Sequence, residues 1–279
     1  MYQIGADHLA AFEAHLREIE LAEGTIANYL RHVQAFAVFA GNREIDRELA
    51  LAWREHLRAQ GRTAETVNGM LVSLNRFFRF AEWEDCRTKP LRVQRRAFRD
   101  EGRELTRDEY TRLLAAAESR CKERLALLME TICGTGIRVS EVPYITVEAA
   151  ERRETEISLK GKLRRILIPG KLAKKLLRYA KRQGITTGAI FVTRSGRPMS
   201  RHQIWAEMKS ICKKAGVEPS KVFPHNLRHL FARIFYKISH DIAHLADVLG
   251  HSSIETTRIY LISTGTEHRR QLERMRLIL

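Results

Sequence analysis

Residues 249–260 read LGHSSIETTRIY, a stretch that ends on Tyr260, nine positions after His251. Three upstream segments also carry chemically active side chains: TGIRVSE at 135–141, KGK at 160–162 and HNLRH at 225–229. Taken singly, each has a purely structural interpretation, since an arginine after two glycines can close a helix end and two histidines four apart can share a helix face. HNLRH also lacks the glutamate of the zinc-protease signature, so it does not predict a metal site.

The composition is that of a globular protein with a polyanionic partner. The 279 residues suffice for two compact domains, and 44% hydrophobic residues with only 16 Gly and 6 Pro exclude wholesale disorder. Lys and Arg number 49 against 33 Asp and Glu, a formal net charge of +16. This excess makes nucleic acid the first candidate partner.

The sequence contains no sign of a membrane or a secreted protein. No apolar run approaches the roughly 20 residues of a spanning helix, and the first twenty residues mix acidic, basic and apolar positions unlike a targeting signal. We therefore expect a cytoplasmic protein. The irregularly spaced cysteines form no C-x-x-C pair and are predicted to be reduced, buried thiols: Cys86, Cys121, Cys133 and Cys212.

The charge is divided unevenly along the chain and indicates the domain organisation. Residues 1–85 have a net charge of −4, residues 86–100 of +5 and residues 101–279 of +15. We predict a helical domain over 1–85, a basic linker over 86–103 and a second domain over 104–279. An arginine-rich linker can lie along phosphates or serve only as a solvated tether.

The first domain is predicted to consist of helices. Apolar residues recur every three or four positions over 9–16, 26–39, 49–57 and 67–80, with Thr25 and Thr63 as expected N-caps. The aromatic residues at the end of the last helix favour a core role over base stacking: Phe77, Phe78, Phe80 and Trp83.

The second domain is predicted to be mainly helical with a small antiparallel sheet. Thr106 and Glu109 form a capping box before a helix, and a second helix covers residues 124–133. Alternating residues over 156–169 predict a β-hairpin turning at Gly161, and residues 189–193 a short strand. Ser200 should cap a helix to residue 215, and Pro224 should begin one through residue 236. The fold class expected for the chain is thus mainly α with a small sheet (α+β).

Together and in this order, the four segments resemble the catalytic signature of the tyrosine recombinase (phage integrase) family. The resemblance covers residues from about 104 to the end, and the helical amino-terminal part is similar to the family's core-binding, SAM-like DNA-binding domain. It implies a two-domain clamp that cleaves and rejoins DNA through a 3′-phosphotyrosyl intermediate. It implies neither cofactor nor metal nor ATP.

The resemblance also implies the site residues. Arg138 matches the first catalytic arginine, with Glu141 its usual neighbour, and Tyr260 matches the nucleophile. Lys160 resembles the hairpin lysine that protonates the leaving 5′ oxygen, although Lys162 could serve instead because the spacing differs by one residue. The remaining matches are His225, Arg228 and His251.

The physical chemistry of phosphoryl transfer accounts for these residue types. The attacked phosphodiester gathers charge on its non-bridging oxygens, and two guanidinium groups, Arg138 and Arg228, can each donate paired hydrogen bonds to them. A phenol with an ordinary pKa of about 10 needs positive charge and a base to react at pH 7. We expect His225 to be the base and His251 to donate to a phosphate oxygen, a division that stays open.

The leading hypothesis is therefore a site-specific recombinase of double-stranded DNA, one that assembles as a tetramer on DNA. The apolar positions 272, 275, 278 and 279 predict an amphipathic terminal helix that docks into a neighbouring subunit or folds back on its own. Two alternatives are a type IB topoisomerase-like enzyme, which rejoins the same strand, and a non-catalytic DNA-binding protein. The intact six-residue set argues against the latter.

Overall fold

A computed structural model describes residues 2–93, 101–159, 162–251, 253–258, 260 and 273–275, with the backbone alone at 101, 159 and 162. The chain divides into two compact units, residues 1–95 and 96–279. Helices dominate both, and the sheet of the described residues is a two-stranded antiparallel hairpin, so the expected mainly α fold is confirmed. Within these residues, none of the helices has the length and apolar character needed to cross a membrane.

The first unit is built from four helices, as predicted. They are α1 (Ala6–Glu18), α2 (Glu23–Ala40), α3 (Arg47–Ala59) and α4 (Ala64–Phe80). The Thr63 side chain caps α4 by accepting from the amide of Thr66, as expected. The cap predicted at Thr25 is wrong: α2 begins two residues earlier at Glu23, whose carboxylate favours the first turn of a helix.

The core of the first unit is aromatic. Phe12 and Phe77 are fully buried and meet edge to face with ring centroids 5.3 Å apart, while Phe78 is fully buried and Trp83 nearly so. Phe80 lies half-buried at the edge of this cluster. The predicted core role of this aromatic stripe is therefore confirmed.

The first residues of the predicted linker are bound to α4. The side-chain amide of Asn75 donates to the carbonyl of Thr88 at 2.8 Å and accepts from its amide at 3.0 Å. Asn68, two turns earlier, pairs in the same two-way manner with the backbone of Leu91, at 2.9 and 2.7 Å. Because each asparagine satisfies both backbone groups of one residue, this segment is fixed on the first unit.

The second unit surrounds α6, which is buried along most of its length. Its elements are α5 (Arg107–Glu118), α6 (Glu123–Thr135), α7 (Val147–Arg152), β1 (Glu154–Leu159), β2 (Lys162–Leu167), α8 (Gly170–Arg182), α9 (Arg201–Lys209), α10 (Cys212–Ala215), α11 (Pro224–Ser239), α12 (Ile242–Leu249) and α13 (Ile254–Arg258). A 3₁₀ helix over Val139–Tyr144 follows α6. The capping box of Thr106 and Glu109 and the cap at Ser200 are confirmed.

Three expectations for the second unit are wrong. Residues 189–193 form no strand, because Ala189 and Val192 make single bridges to two different segments and no ladder develops. The helix expected up to residue 215 breaks after Lys209, where the hydroxyl of Ser210 bonds to the carbonyl of Glu207. Cys121 is exposed in a turn, whereas Cys86 and Cys212 are buried and Cys133 is partly so.

The hairpin alternates as predicted, with an arginine on its inner face. Ile157 on β1 pairs with Arg164 on β2, and both side chains are buried, together with Ile166. Leu163 and Leu167 on the outer face are exposed. The predicted turn at Gly161 lies outside the described residues, as do the apolar terminal positions 272, 278 and 279. Position 275 lies in a helical segment over 273–275.

Candidate active site

The first predicted arginine follows a glycine turn at the end of α6. Gly136 has a φ of +65°, and a Cβ there would lie 2.5 Å from Cδ1 of Phe231, so only glycine fits. The chain then leaves the helix in an extended conformation at Arg138, which is the N-cap of the 3₁₀ helix. The side chain of Arg138 is 41% exposed, so its guanidinium is accessible from solvent.

Glu141 lies at the buried centre of a three-residue ion pair network. Its carboxylate accepts from the Arg138 amide at 2.8 Å and from Arg138 Nη1 at 3.0 Å, and its other partner is the guanidinium of Arg164. Burial acts to raise the pKa of this carboxyl, but the charge and hydrogen bonds of Arg164 and Arg138 outweigh it and hold the pKa below its usual range. Glu141 therefore stays ionised and positions both arginines.

Three arginines hold the carboxyl end of α12. Helix ends leave carbonyls without intrahelical partners, and at this end three consecutive ones each accept a guanidinium N–H. Arg164 Nη2 donates to Val248 at 3.0 Å, Arg228 Nη2 to Leu249 at 2.8 Å and Arg138 Nη2 to Gly250 at 3.3 Å. Since the carboxyl end of a helix carries partial negative charge, this cap also offsets the repulsion among the three cations.

Gly250 ends α12 with a φ of +63°, and a Cβ there would lie 2.4 Å from Cδ of Arg164. The turn passes this close to Arg164 only because Gly250 has no side chain. His251 follows this turn directly and lies in the site, next to the capped carbonyls.

Helix α11 supplies the H-x-x-R pair. Pro224 begins it, so His225 lies in its first turn with an exposed side chain, while Arg228 one turn on is 1% exposed. Besides Leu249, Arg228 donates to the carbonyl of Gly136 and to Nε2 of His251. Burial and the neighbouring cations Arg138 and Arg164 lower the pKa of Arg228 to about 10, against the opposing effect of the Tyr260 hydroxyl that bonds to it. It remains a cation at neutral pH.

Tyr260 is surrounded by three histidine rings. Its ring is stacked on that of His251, with centroids 5.6 Å apart, and meets the edge of His229 at 4.3 Å. The ring of His225 lies 6.0 Å from it and 4.4 Å from that of His229. Only 3% of Tyr260 is exposed, so its ring is held in one orientation.

Both predicted histidines are disfavoured as cations. Desolvation, followed by the charges of Arg228 and Arg138, lowers the pKa of His225 below its ordinary value. For His251, burial and the same two arginines, with smaller effects from Arg164 and His225, lower the pKa to about 4. At neutral pH both rings are therefore neutral. The lone pair of His251 at Nε2 is already directed to Arg228, which leaves His225 as the ring that can accept a proton.

One cavity of about 550 Å³ collects these groups. It is lined by Arg138, His225, Arg228 and Tyr260, together with Arg201 and Trp205 of α9, among others. The tryptophan is 46% exposed at this wall. The cavity thus combines three guanidinium groups, a neutral imidazole and a phenol, a set of side chains suited to an anionic ester.

The structure brings together five of the six predicted site residues: Arg138, His225, Arg228, His251 and Tyr260. The sixth, Lys160, lies outside the described residues, and for its alternative, Lys162, the backbone alone is described. Sequence reasoning missed Arg164, His229 and Thr257. A charged residue at an inward position of β2 was the available signal for Arg164, while nothing in the spacing distinguished Thr257.

Comparison with known proteins accords with this geometry. Residues 103–266 match the phage integrase family, and residues 9–85 match the phage integrase N-terminal SAM-like domain. Among curated relatives, tyrosine recombinase XerA of Thermococcus kodakarensis is 30% identical, with 96% of this chain and 94% of that protein covered. Tyrosine recombinase XerD of Halalkalibacterium halodurans is 27% identical, with 91% and 93% covered.

Solved structures share the fold. An integrase of the transposon Tn1549 in complex with transposon right end DNA has a TM-score of 0.73 and 17% identity, with 96% of this chain and 98% of that chain covered. A lambda integrase tetramer bound to a Holliday junction has a TM-score of 0.74 and 21% identity, with 91% and 76% covered. The family match over more than half of the chain confirms the resemblance inferred from the four motifs. The chain belongs to the phage integrase family.

Proposed function

We propose that this family member is a site-specific DNA recombinase in which Tyr260 attacks a DNA phosphodiester and Arg138, Lys160, His225, Arg228 and His251 assist. The observation that carries the proposal is the convergence of the Tyr260 phenol with two guanidinium groups and a neutral imidazole on one cavity. Each of these groups has a defined task in moving a phosphoryl group between two oxygens.

The reaction balances without a metal or a nucleotide cofactor. The Oη of Tyr260 forms a bond to phosphorus while the bond from phosphorus to the 5′ oxygen breaks. The phenolic proton goes to a base, and the departing 5′ oxygen takes a proton from Lys160, which becomes neutral. The 3′-phosphotyrosyl ester keeps the phosphodiester bond energy, so a 5′-hydroxyl from another strand reverses the attack and completes the exchange.

Arg138 and Arg228 contribute differently to binding the phosphate. Arg138 is exposed, and its longer bond of 3.3 Å to the carbonyl of Gly250 can yield to a phosphate oxygen. Arg228 is buried, with three of its five N–H groups committed to Gly136, Leu249 and His251. Arg228 therefore supplies a fixed positive charge next to the Tyr260 hydroxyl and the phosphate. Arg138 supplies the hydrogen bonds that form when the phosphate binds.

His225 is our proposed base for the Tyr260 proton. Its exposed ring lines the cavity and its lowered pKa leaves it neutral and ready to accept. His251 was expected to donate to a phosphate oxygen. In the structure its Nε2 accepts from Arg228, so donation to a phosphate oxygen requires a proton on that nitrogen.

The proposed partner is double-stranded DNA carrying a specific site. The net charge of +16 favours a polyanion, and the structural neighbours include integrases in complex with DNA. We assign DNA binding also to the helical first unit, residues 1–85, because it matches the family's SAM-like domain. A tetramer on DNA is the assembly we propose, by analogy with the lambda integrase tetramer. We also propose that the apolar positions of the terminal helix predicted from the sequence form the contact between subunits.

The decisive experiment uses a nicked duplex that carries the protein's cognate site. The short fragment released by cleavage diffuses away, so the covalent intermediate accumulates and survives denaturation. We expect a protein–DNA band in EDTA that disappears in Tyr260→Phe and persists in Tyr144→Phe, a control at an exposed tyrosine outside the cavity lining. A band that persists in Tyr260→Phe would eliminate Tyr260 as the nucleophile.

Two further measurements separate the alternatives. Relaxation of supercoiled plasmid without strand exchange would favour topoisomerase-like activity. Binding that is retained without any cleavage would favour a non-catalytic DNA-binding protein. In either case affinity should fall steeply with salt, at about 0.9 log unit per log unit of salt for each phosphate contact.

A further inference from the structure

The imidazole of His251 is held at both of its nitrogens. Nε2 lies 2.9 Å from Nη2 of Arg228, and Nδ1 lies 2.8 Å from the hydroxyl oxygen of Thr257. The ring thus connects the buried arginine of the site to α13, the short helix that precedes Tyr260.

The partners determine which nitrogen carries the proton. A guanidinium group has five N–H donors and no acceptor, so Nε2 must present its lone pair to Arg228. A neutral imidazole then has its only N–H at Nδ1, and this group donates to Oγ1 of Thr257. The ring cannot accept at both nitrogens, because that would require an imidazolate.

Thr257 is well placed to enforce this arrangement. Its side chain is completely buried, whereas its neighbour Thr256 on the same helix is exposed. Packing alone would be satisfied by valine, which has the same shape and no polar atom. A buried hydroxyl is costly unless it is hydrogen-bonded, so its presence here calls for a specific partner, and His251 Nδ1 is that partner.

We propose that Thr257 is a positioning residue that holds His251 in its Nδ1–H tautomer and thereby fixes the guanidinium of Arg228. The other tautomer would place an N–H of the ring against an N–H of Arg228, and one of the two groups would have to turn away. With Nε2 as the acceptor, one N–H of Arg228 is occupied by the ring. The carbonyls of Gly136 and Leu249 take two more, which leaves two for the Tyr260 hydroxyl and for a phosphate. This inference rests on the proposed function of the site.

The tautomer itself can be measured without DNA. Long-range ¹⁵N–¹H spectra of the full chain distinguish the Nδ1–H from the Nε2–H form of each of the 11 histidines, and loss of one signal set in His251→Gln assigns His251. We expect the Nδ1–H form in the wild type, in Thr257→Ser and in the control Thr256→Val. We expect a mixture or the Nε2–H form in Thr257→Val. Retention of the Nδ1–H form in Thr257→Val would overturn the proposal.

Cleavage of the nicked duplex tests the consequence for the reaction. Misplacing a catalytic group slightly can cost up to about 100-fold, so Thr257→Val should cleave about 10- to 100-fold more slowly at unchanged DNA affinity. Thr257→Ser, which restores the hydroxyl, should remain within about 3-fold of the wild type. A rate in Thr257→Ser as low as that in Thr257→Val would indicate a purely packing role and would overturn the proposal.

The two readouts also separate this proposal from the proposed function. If the wild type fails to cleave any duplex, the recombinase assignment fails while the spectra still decide the tautomer. Thermal denaturation of each variant identifies unfolding. If Thr257→Val does not fold, Thr257→Ala can be compared with Thr257→Ser instead. Thr257→Ala lacks the hydroxyl and Thr257→Ser keeps it.

Discussion

The carboxylate of Glu141 is paired with the guanidinium of Arg164, and both side chains are almost completely buried. Arg164 also donates to the carbonyl of Val248, so this pair ties the 3₁₀ helix after α6 to β2 and to the end of α12. Removal of one partner of a buried ion pair leaves an uncompensated charge, which is far more costly than loss of an exposed pair.

Arg164→Met should therefore destabilise the protein. We expect the free energy of unfolding to fall by about 3 kcal/mol, the lower end of the range for broken buried pairs because Arg138 still contacts Glu141. Urea denaturation at pH 7 measures the change. The control is Arg165→Met on the same strand, whose side chain is 60% exposed and which should change stability by less than about 0.5 kcal/mol. Equal losses in the two variants would contradict the prediction.

The two arginines that we propose to be catalytic should differ in what their replacement by lysine does. Arg138→Lys keeps an exposed charge but loses the planar guanidinium, so the cleavage rate should fall about 100-fold. Its free energy of unfolding should change by less than about 1 kcal/mol. Arg228→Lys should lower both cleavage and stability, the latter by about 2 kcal/mol or more, because buried acceptors lose their donors. Cleavage of the nicked duplex and urea denaturation check the two effects. Full stability in Arg228→Lys would count against the role assigned to its hydrogen bonds.

Gly250→Ala tests the close approach of the α12 turn to Arg164. Two penalties add at this position: a left-handed φ of +63° and a Cβ only 2.4 Å from Cδ of Arg164. Gly216 is the matched control, since it also ends a helix, at φ +60°, but a Cβ there would meet no atom within 4 Å. Thermal denaturation should show that Gly216→Ala lowers the free energy of unfolding by about 1 kcal/mol. Gly250→Ala should lower it by clearly more. Similar losses would mean that the turn can move away from Arg164.

Stability should depend on pH through His251. Burial and neighbouring arginines lower its pKa from 6.5 to about 4 in the folded protein, so between these values the unfolded chain binds a proton that the folded chain does not. The stabilisation is complete above pH 6.5 and is lost as the pH falls toward 4. Between pH 7 and pH 5 we expect this one group to lower the free energy of unfolding by about 2 kcal/mol.

The difference between variants isolates that contribution from other titrating groups. Urea denaturation at pH 7 and pH 5 should show a smaller loss for His251→Gln than for the wild type. His202→Gln, at an exposed position on α9, should follow the wild type. Parallel pH dependence in all three proteins would show that His251 is not held neutral by its surroundings.

The sequence by itself determined the helices of the first unit and was enough to propose the residues of the site. Periodic apolar positions specified α1 to α4, because burying one face of a helix requires that spacing whatever the partner. The order and spacing of four short motifs were enough to identify Arg138, His225, Arg228, His251 and Tyr260 as one set. Local signals failed where tertiary contacts decide, as at residues 189–193, where no adjacent strand completes a ladder.

Only the tertiary structure decided how that set is held together. The carbonyls of residues 248–250 accept from Arg164, Arg228 and Arg138, which lie on three different segments. The carboxylate of Glu141 likewise pairs with Arg164 on β2, and the hydroxyl of Thr257 on α13 lies against Nδ1 of His251. Such contacts leave no periodic trace in the sequence, because a hydrogen bond depends on where two atoms meet in space and not on their separation along the chain.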